Sequence, residues 1–491
     1  MRFLLATAIL PILAAPAPAD EPKPEAVDAI VIDALKTFQV PGAAVVVVRG
    51  DKTLVLKGYG RRSIERDEPV TPETLFPMAS CTKQFTTTLL AMLVDEGMIG
   101  WDDRVKKLYP DFALSDPSAN ELLTLRDLVS HRTGLGSHDL LWYHSPEKID
   151  DIIRKAKLLP LDYPFRGGYR YNSVPFMAAG RIAEKVGKAK WEKLVRERIC
   201  DPLEMKSVYF TTPDIPKDAD RALGHRLNKA GKVERMPVYA MKEPNPSGSL
   251  HLTARDLAQW LQFQVSGGVA PNGRRVVSAE PLLETRTGQT IIRLEGASKL
   301  QIPESNLMQY AMGWVVNDYR GLKVTAHGGL IDGFRVQVTL VPEKELGIAV
   351  LTNLHDTRMP IAVTNGLIDL YCALKPKEWS AYYKKLADDE AEEKRKSLAA
   401  RDAARDPARK PSCELADFAG TYKHPAYGAA TVAEKDGTLS VRFSGFRFAL
   451  EHHEGDTFRV ADGFFADELA VFTVKEGKVA GMKLQGVEFQ R

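Results

Sequence analysis

The chain has 491 residues, 44% of them apolar, with 67 basic against 64 acidic side chains and a formal net charge of +3. That length leaves room for more than one domain, each with a sizeable core. No basic stripe interleaved with aromatics occurs, so nucleic acid is not an expected partner.

The first residues read as an address. Arg2 gives a positive start, residues 3–13 are apolar, and Ala17-Pro18-Ala19 fits small-x-small cleavage. Residues 1–19 are therefore expected to be a secretory signal peptide, and the product to be exported, periplasmic or extracellular. The apolar run is too short to span a bilayer, and no other stretch reads as a transmembrane helix. The four cysteines (Cys81, Cys200, Cys372, Cys413) are too few and too widely spaced for a disulfide scaffold or a zinc site. Cys81 reads as a small packing residue.

Residues 25–38 carry apolar side chains at helical spacing, and Pro41-Gly42 ends the pattern. Residues 43–49 and 53–58 form a hairpin about Gly50-Asp51-Lys52. Residues 71–78 deliver the chain to Ser80-Cys81-Thr82-Lys83, which opens a long apolar helix ending near Gly97. Ser80 and Lys83 are three apart and share a helix face. A lysine there can take the serine's proton if burial lowers its pKa, and a helix N-terminus suits a developing oxyanion. A second Ser-x-x-Lys, Ser145 to Lys148, reads as a plain helix start with Pro146 at the first position.

Thr124-Leu125-Arg126-Asp127 reads as a capped short helix. Residues 147–158, 174–186 and 191–199 are further helices. Strands follow at 310–317, 322–325, 334–340 and 346–352, then an apolar helix at 361–374. Residues 375–410 are dense in charge and read as a solvated, partly helical linker. From 411 on, seven short alternating segments (420–422, 430–434, 439–443, 446–452, 457–460, 468–474, 479–485) predict a small all-β barrel. His452-His453-Glu454 reads as a polar turn rather than a metal site.

Three motifs in order make the chain resemble the serine β-lactamase and penicillin-binding-protein-like hydrolases. The branch is that of class C β-lactamases, D-amino-acid peptidases and related esterases. They are Ser80-Cys81-Thr82-Lys83 between Phe76 and Phe85, then Tyr171-Asn172-Ser173 in the place of Tyr-x-Asn, then His327-Gly328-Gly329 in the place of Lys-Thr-Gly. Residues 128–135 and 246–256 add accessory likeness. The resemblance covers residues 25–374 and implies an α+β fold: an antiparallel sheet flanked by helices, with an inserted all-helical subdomain. It extends to the C-terminal all-β barrel, which is similar to small lipocalin-like domains appended to some members. The organisation it implies is signal peptide 1–19, hydrolase domain 20–374, linker 375–410 and barrel 411–491.

By this resemblance Ser80 is the nucleophile, and Lys83 and Tyr171 move the proton; which of them is the base stays open. The backbone N–H groups of Ser80 and Leu330 form the oxyanion hole. Gly328 and Gly329 let the strand edge approach substrate, and His327 bonds a substrate carboxylate or the Tyr171–Lys83 pair. Ser173 stands where the family has asparagine, and His327 where it has lysine; both departures lean away from efficient β-lactam hydrolysis. The activity implied is a metal-free, cofactor-free serine hydrolase acting through an acyl-enzyme on an amide or ester. Its substrates would be short or D-residue-containing peptides, or small esters. The alternatives are a true β-lactamase and a catalytically weak protein that binds cell-wall peptides. The sequence fixes no oligomeric state. A further expectation is that a loop of the C-terminal domain reaches the Ser80 cleft and narrows the substrates admitted.

Overall fold

The computed structural model describes residues 21–491; the expected signal peptide lies outside the described residues. Helix α1 (Pro24–Thr37) starts on a proline with Glu25 in its first turn, and buries Val27, Val31 and Ala34. The hairpin β1 (Gly42–Arg49) and β2 (Lys52–Gly60) follows. Strand β1 is a continuous apolar run because both of its faces are covered. Ala44, Val46 and Val48 enter one core, whereas Ala43, Val45 and Val47 enter the other.

Both cores flank one eight-stranded sheet. Its remaining strands are β3 (Thr290–Ile291), β4 (Met308–Tyr310), β5 (Val315–Tyr319), β6 (Leu322–Ile331), β7 (Phe334–Val341) and β8 (Leu346–Thr352), in the order β2-β1-β8-β7-β6-β5-β4-β3. Helix α2 (Thr82–Asp95) and helix α3 (Val174–Gly187) lie on one side together with α4 (Ala254–Val265). Helix α1 and α5 (Met359–Tyr371) lie on the other. The stretch 97–250 is mainly short helices and loops, as its patterning predicts.

The expected strand 310–317 is two strands. Gly313 turns with φ +75° between them, and its bare Cα is held against the Lys83 carbonyl, where an added Cβ would stand 2.8 Å away. The expected strand 322–325 is ten residues long and contains the third motif. Ser145 caps no helix: the helix there begins at Ile149, after a turn in which Ser145 Oγ accepts from the Glu147 N–H.

Residues 375–410 hold a 26-residue helix, α6 (Trp379–Ala404). Its start buries Trp379, Tyr383 and Leu386, with Trp379 Nε1 donating to Asp369 Oδ2 at 2.8 Å. The remainder is solvated and laced by pairs such as Lys385–Asp389. Beyond it, eight strands close a barrel over a core that includes Phe418, Tyr422, Phe458 and Phe472. The eighth strand, Val487–Gln490, went unread in the sequence. It is four residues long and follows a tight Gln485-Gly486 turn with both φ positive. His453 is buried on the strand Phe446–Glu454, not in a turn.

Candidate active site

Residues Ala79–Cys81 form a 3₁₀ turn that runs into α2. Ala79 sits at φ 45°, a left-handed conformation that costs an L-residue roughly 1–2 kcal/mol. The turn is pinned on both sides. Cys81 Sγ donates to the His327 carbonyl at 3.2 Å, and Met78 N donates to the Leu250 carbonyl at 2.7 Å. Cys81 is thus a tether; burial pushes its thiol pKa up to about 12.

The loop 245–250 docks on hydroxyls of α2. Thr82 Oγ1 accepts from Leu250 N, and Thr86 Oγ1 donates to the Pro246 carbonyl at 2.6 Å. This brings the Ser247 carbonyl to 2.9 Å from Lys83 Nζ. Lys83 Nζ lies 3.4 Å from Ser80 Oγ, long for a hydrogen bond, and over the rings of Tyr171 and Phe176 at 4.9 and 5.3 Å. Lys83 is fully buried. Burial pushes its pKa down to about 7, against a weaker upward pull from Asp139. Burial raises the pKa of Asp139, opposed by the Trp142 indole N–H that it accepts at 2.8 Å and by Lys83.

Tyr171 precedes α3 and completes the trio. Burial raises its pKa well above the ordinary phenol value; the Ser80 hydroxyl opposes that rise. The two hydroxyls nevertheless fall short of hydrogen-bond geometry, and the Tyr171 hydroxyl has no partner among the described residues. Asn172 points away: its amide bonds the Gly136 carbonyl, and its Oδ1 accepts from Val174 N at 2.7 Å. Ser173 is buried and lines the cleft.

Strand β5 leaves β6 at the Ala326–Val315 pair, so residues 327–331 pair only with β7 and present an open edge. Between this edge and the Ser80 turn lies a cleft of about 400 Å³, lined by Ser80, Tyr171, Ser173, His327, Gly329 and Leu330 among others. Gly329 is needed for reasons inside the protein: a Cβ there would stand 2.3 Å from the Met78 carbonyl oxygen and 3.2 Å from Ala79 Cβ. Its missing side chain admits the Ser80 turn, not only substrate.

His327 differs from expectation. Its Nδ1 lies 2.7 Å from the Gly328 carbonyl, which can only accept, so Nδ1 carries the proton. Nε2 is then the acceptor for the Tyr310 hydroxyl at 3.0 Å. Burial, with Lys83 nearby, pushes its pKa down to about 3. Both nitrogens are engaged and the ring is neutral, so it offers no bond to the Tyr171–Lys83 pair and no charge to a carboxylate.

Sequence reasoning gave no role to three contributors, two of which, His131 and Ser247, lie in the accessory stretches 128–135 and 246–256. His131 lies against Tyr171 and Tyr310, with ring centroids 4.3 and 4.2 Å apart. It accepts from Asn172 N at Nδ1, which puts its proton on a buried, unpartnered Nε2, and burial holds it neutral. The Ser247 acceptor is a backbone carbonyl and leaves no residue-type signal. Asp139 lines the cleft from a segment without a motif.

No barrel residue lines the cleft, contrary to the expected loop. The barrel instead grips the segment that carries Asp139 and Trp142. Ser444 Oγ and Gly445 N both donate to the His144 carbonyl, at 2.9 and 2.8 Å. Tyr427 bonds His138 at 2.7 Å, and Phe446 packs on His144.

Residues 27–373 match the Beta-lactamase family, and residues 404–491 match a domain of unknown function, DUF3471. Over 429 residues the chain is 28% identical to the Unguisins hydrolase ungD' of Aspergillus campestris, covering 82% of this chain and 76% of that one. The octameric penicillin-binding protein homologue from Pyrococcus abyssi superposes with TM-score 0.61 at 22% identity, over 95% of this chain and 99% of its own. A D-amino acid amidase from Ochrobactrum anthropi gives TM-score 0.58 at 22% identity, over 71% and 97%.

Proposed function

The chain belongs to the Beta-lactamase family and is a serine hydrolase, and from that premise we propose that it acylates on Ser80 and cleaves an amide or ester in a short peptide or small ester. The observation that carries this is Lys83: fully buried, 3.4 Å from Ser80 Oγ, with a pKa near neutrality. An amine that is half unprotonated near pH 7 can serve as a base there. Tyr171 stays a neutral phenol, so Lys83 is the member of the pair that accepts the serine proton as Ser80 Oγ attacks the carbonyl. The N–H groups of Ser80 and Leu330 hold the oxyanion; losing one such donor typically costs about 3–4 kcal/mol of transition-state stabilisation. Lysine and tyrosine then return the proton to the leaving group, and water repeats the sequence on the acyl-enzyme.

Amide and ester substrates both suit this machinery, and the names of similar proteins include a D-amino acid amidase and a hydrolase with acyltransferase activity. We assign residues 20–374 to the hydrolase and 411–491 to the barrel. The export signal read in residues 1–19 supports a periplasmic or extracellular site of action. Among the described residues no helix is long and apolar enough to cross a membrane.

Intact mass after treatment with a fluorophosphonate, beside Ser80→Ala, tests the reading. One adduct on the parent and none on the variant is the expected result. A folded parent that takes no adduct overturns it.

A further inference from the structure

A second cavity lies behind the stretch that delivers Ser80. It holds about 230 Å³ and shares no lining residue with the cleft. Residues Phe76–Pro77 pair with His251–Leu252, and the next rung is the Met78 N–H on the Leu250 carbonyl. Pro77 and His251 are cross-strand partners, and both line the cavity. Its wall therefore runs directly into the Ser80 turn.

That wall divides by chemistry. Leu75, Val238 and Phe334 give an apolar side, and Arg221, Arg235 and His251 a polar one. Arg235 donates from Nη1 to the Gly224 carbonyl at 3.1 Å and stands 3.6 Å from Glu65. Arg221 is partly buried, and its guanidinium has no carboxylate and no side-chain hydrogen bond among the described residues. His251 is only 7% exposed. Its Nδ1 lies 3.0 Å from the Ser249 carbonyl, so Nδ1 carries the proton. Its Nε2 is then a lone-pair acceptor, and it has no partner among the described residues. Burial, with the Arg221 charge adding to it, pushes the ring's pKa down to about 4 against the pull of the Ser249 carbonyl, so the ring is neutral. The cavity thus combines a cation without a counter-charge, a buried acceptor without a donor, and an apolar wall. It is smaller than the roughly 300–1,000 Å³ of sites for drug-sized ligands, so its occupant is small.

We propose that this cavity is a second ligand site, for a small carboxylic acid that carries an O–H or N–H donor beside its carboxylate and an apolar body. The carboxylate pairs with Arg221, the donor meets His251 Nε2, and the body lies on Leu75, Val238 and Phe334. Ser80 takes no part, so this site stands or falls apart from the acyl-enzyme reading.

Mandelate is the probe, with calorimetric binding to the full chain as the readout. It should bind roughly tenfold or more tightly than mandelamide, which lacks the charge. It should exceed phenylacetate, which lacks the hydroxyl, by about two- to tenfold. Arg221→Gln should melt like the parent and bind mandelate no better than mandelamide, and Arg221→Lys should keep part of the preference. Protein blocked at Ser80 with a fluorophosphonate should bind mandelate as the parent does. Where Ser80 takes no adduct, Arg335→Gln is the cleft control and should leave mandelate binding unchanged. The proposal is overturned by no mandelate binding at millimolar concentration, by equal affinity for mandelate and either comparison compound, or by undiminished affinity in Arg221→Gln. Loss of binding in the blocked protein or in the cleft control places mandelate in the cleft and overturns it too.

Discussion

Gly329→Ala is the sharpest test of how the site is assembled. The new methyl would stand 2.3 Å from the Met78 carbonyl oxygen, 2.7 Å from Val336 Cγ2 and 3.2 Å from Ala79 Cβ. Backbone and sheet core supply the two closest contacts, so neither yields by a rotamer change. Relief to ordinary van der Waals contact requires β6 and the Ser80 turn to separate by about 1 Å. Overpacking of this kind costs typically about 1–3 kcal/mol in stability. A 1 Å misplacement of reacting groups costs about 100-fold in rate, roughly 2.7 kcal/mol. Gly328→Ala is the contrast. Its methyl would first meet Gln337 Oε1 at 3.1 Å, the free end of a rotatable side chain, and should lose at most about tenfold, or 1.4 kcal/mol. The assay is the rate of fluorophosphonate labelling by intact mass, with a thermal melt of each variant. Equal losses at the two glycines, or a Gly329→Ala protein that melts and labels like the parent, would refute the close-approach argument.

Labelling of Ser80 should rise with pH through about 7 and then level, because the neutral Lys83 amine is the base and exists above its pKa; a flat profile from acid to alkaline pH contradicts this. The same lysine makes a stability prediction. Its folded pKa of about 7 lies below the 10.5 of an ordinary lysine, so the unfolded chain binds more protons between those values and stability rises with pH across that window. Lys83→Met should flatten the slope in urea melts at pH 6.5 and 9 while abolishing labelling. Phe446→Ala removes the ring packed 4.7 Å from His144, so the segment carrying Asp139 and Trp142 should loosen. KM for a peptide substrate should rise several-fold while labelling by a small fluorophosphonate changes little; an unchanged KM detaches the barrel from the cleft.

What the sequence disclosed depended on how local its cause was. Strand β1 and helix α2 were legible because each carries its own apolar pattern, and the capping box at Thr124 and Asp127 formed as read. The split of 310–317 was not legible, because it comes from Gly313 lying against the Lys83 carbonyl, more than two hundred residues away in sequence. The length of β6 was hidden for a similar reason. Gly328 and Gly329 break any propensity for a strand, yet β7 pairs with them throughout. The helix α6 was half legible: its buried aromatics occupy only its first turns, and the charged remainder carries no apolar face.

The site divides along the same line. Ser80, Lys83 and Tyr171 sit in linear motifs, and the chain brings them together. The state of each group was not linear information, since protonation here is set by burial and by neighbours from other segments. His327 is neutral because Tyr310 and its own backbone engage both nitrogens in a buried setting. His131 is neutral because Asn172 N occupies one nitrogen and aromatic rings surround the other. A permanent cation among these rings would hold Lys83 neutral by repulsion, but would bear its own desolvation cost and gain no partner. Keeping both histidines uncharged leaves Lys83 as the group that titrates near neutrality beside Ser80.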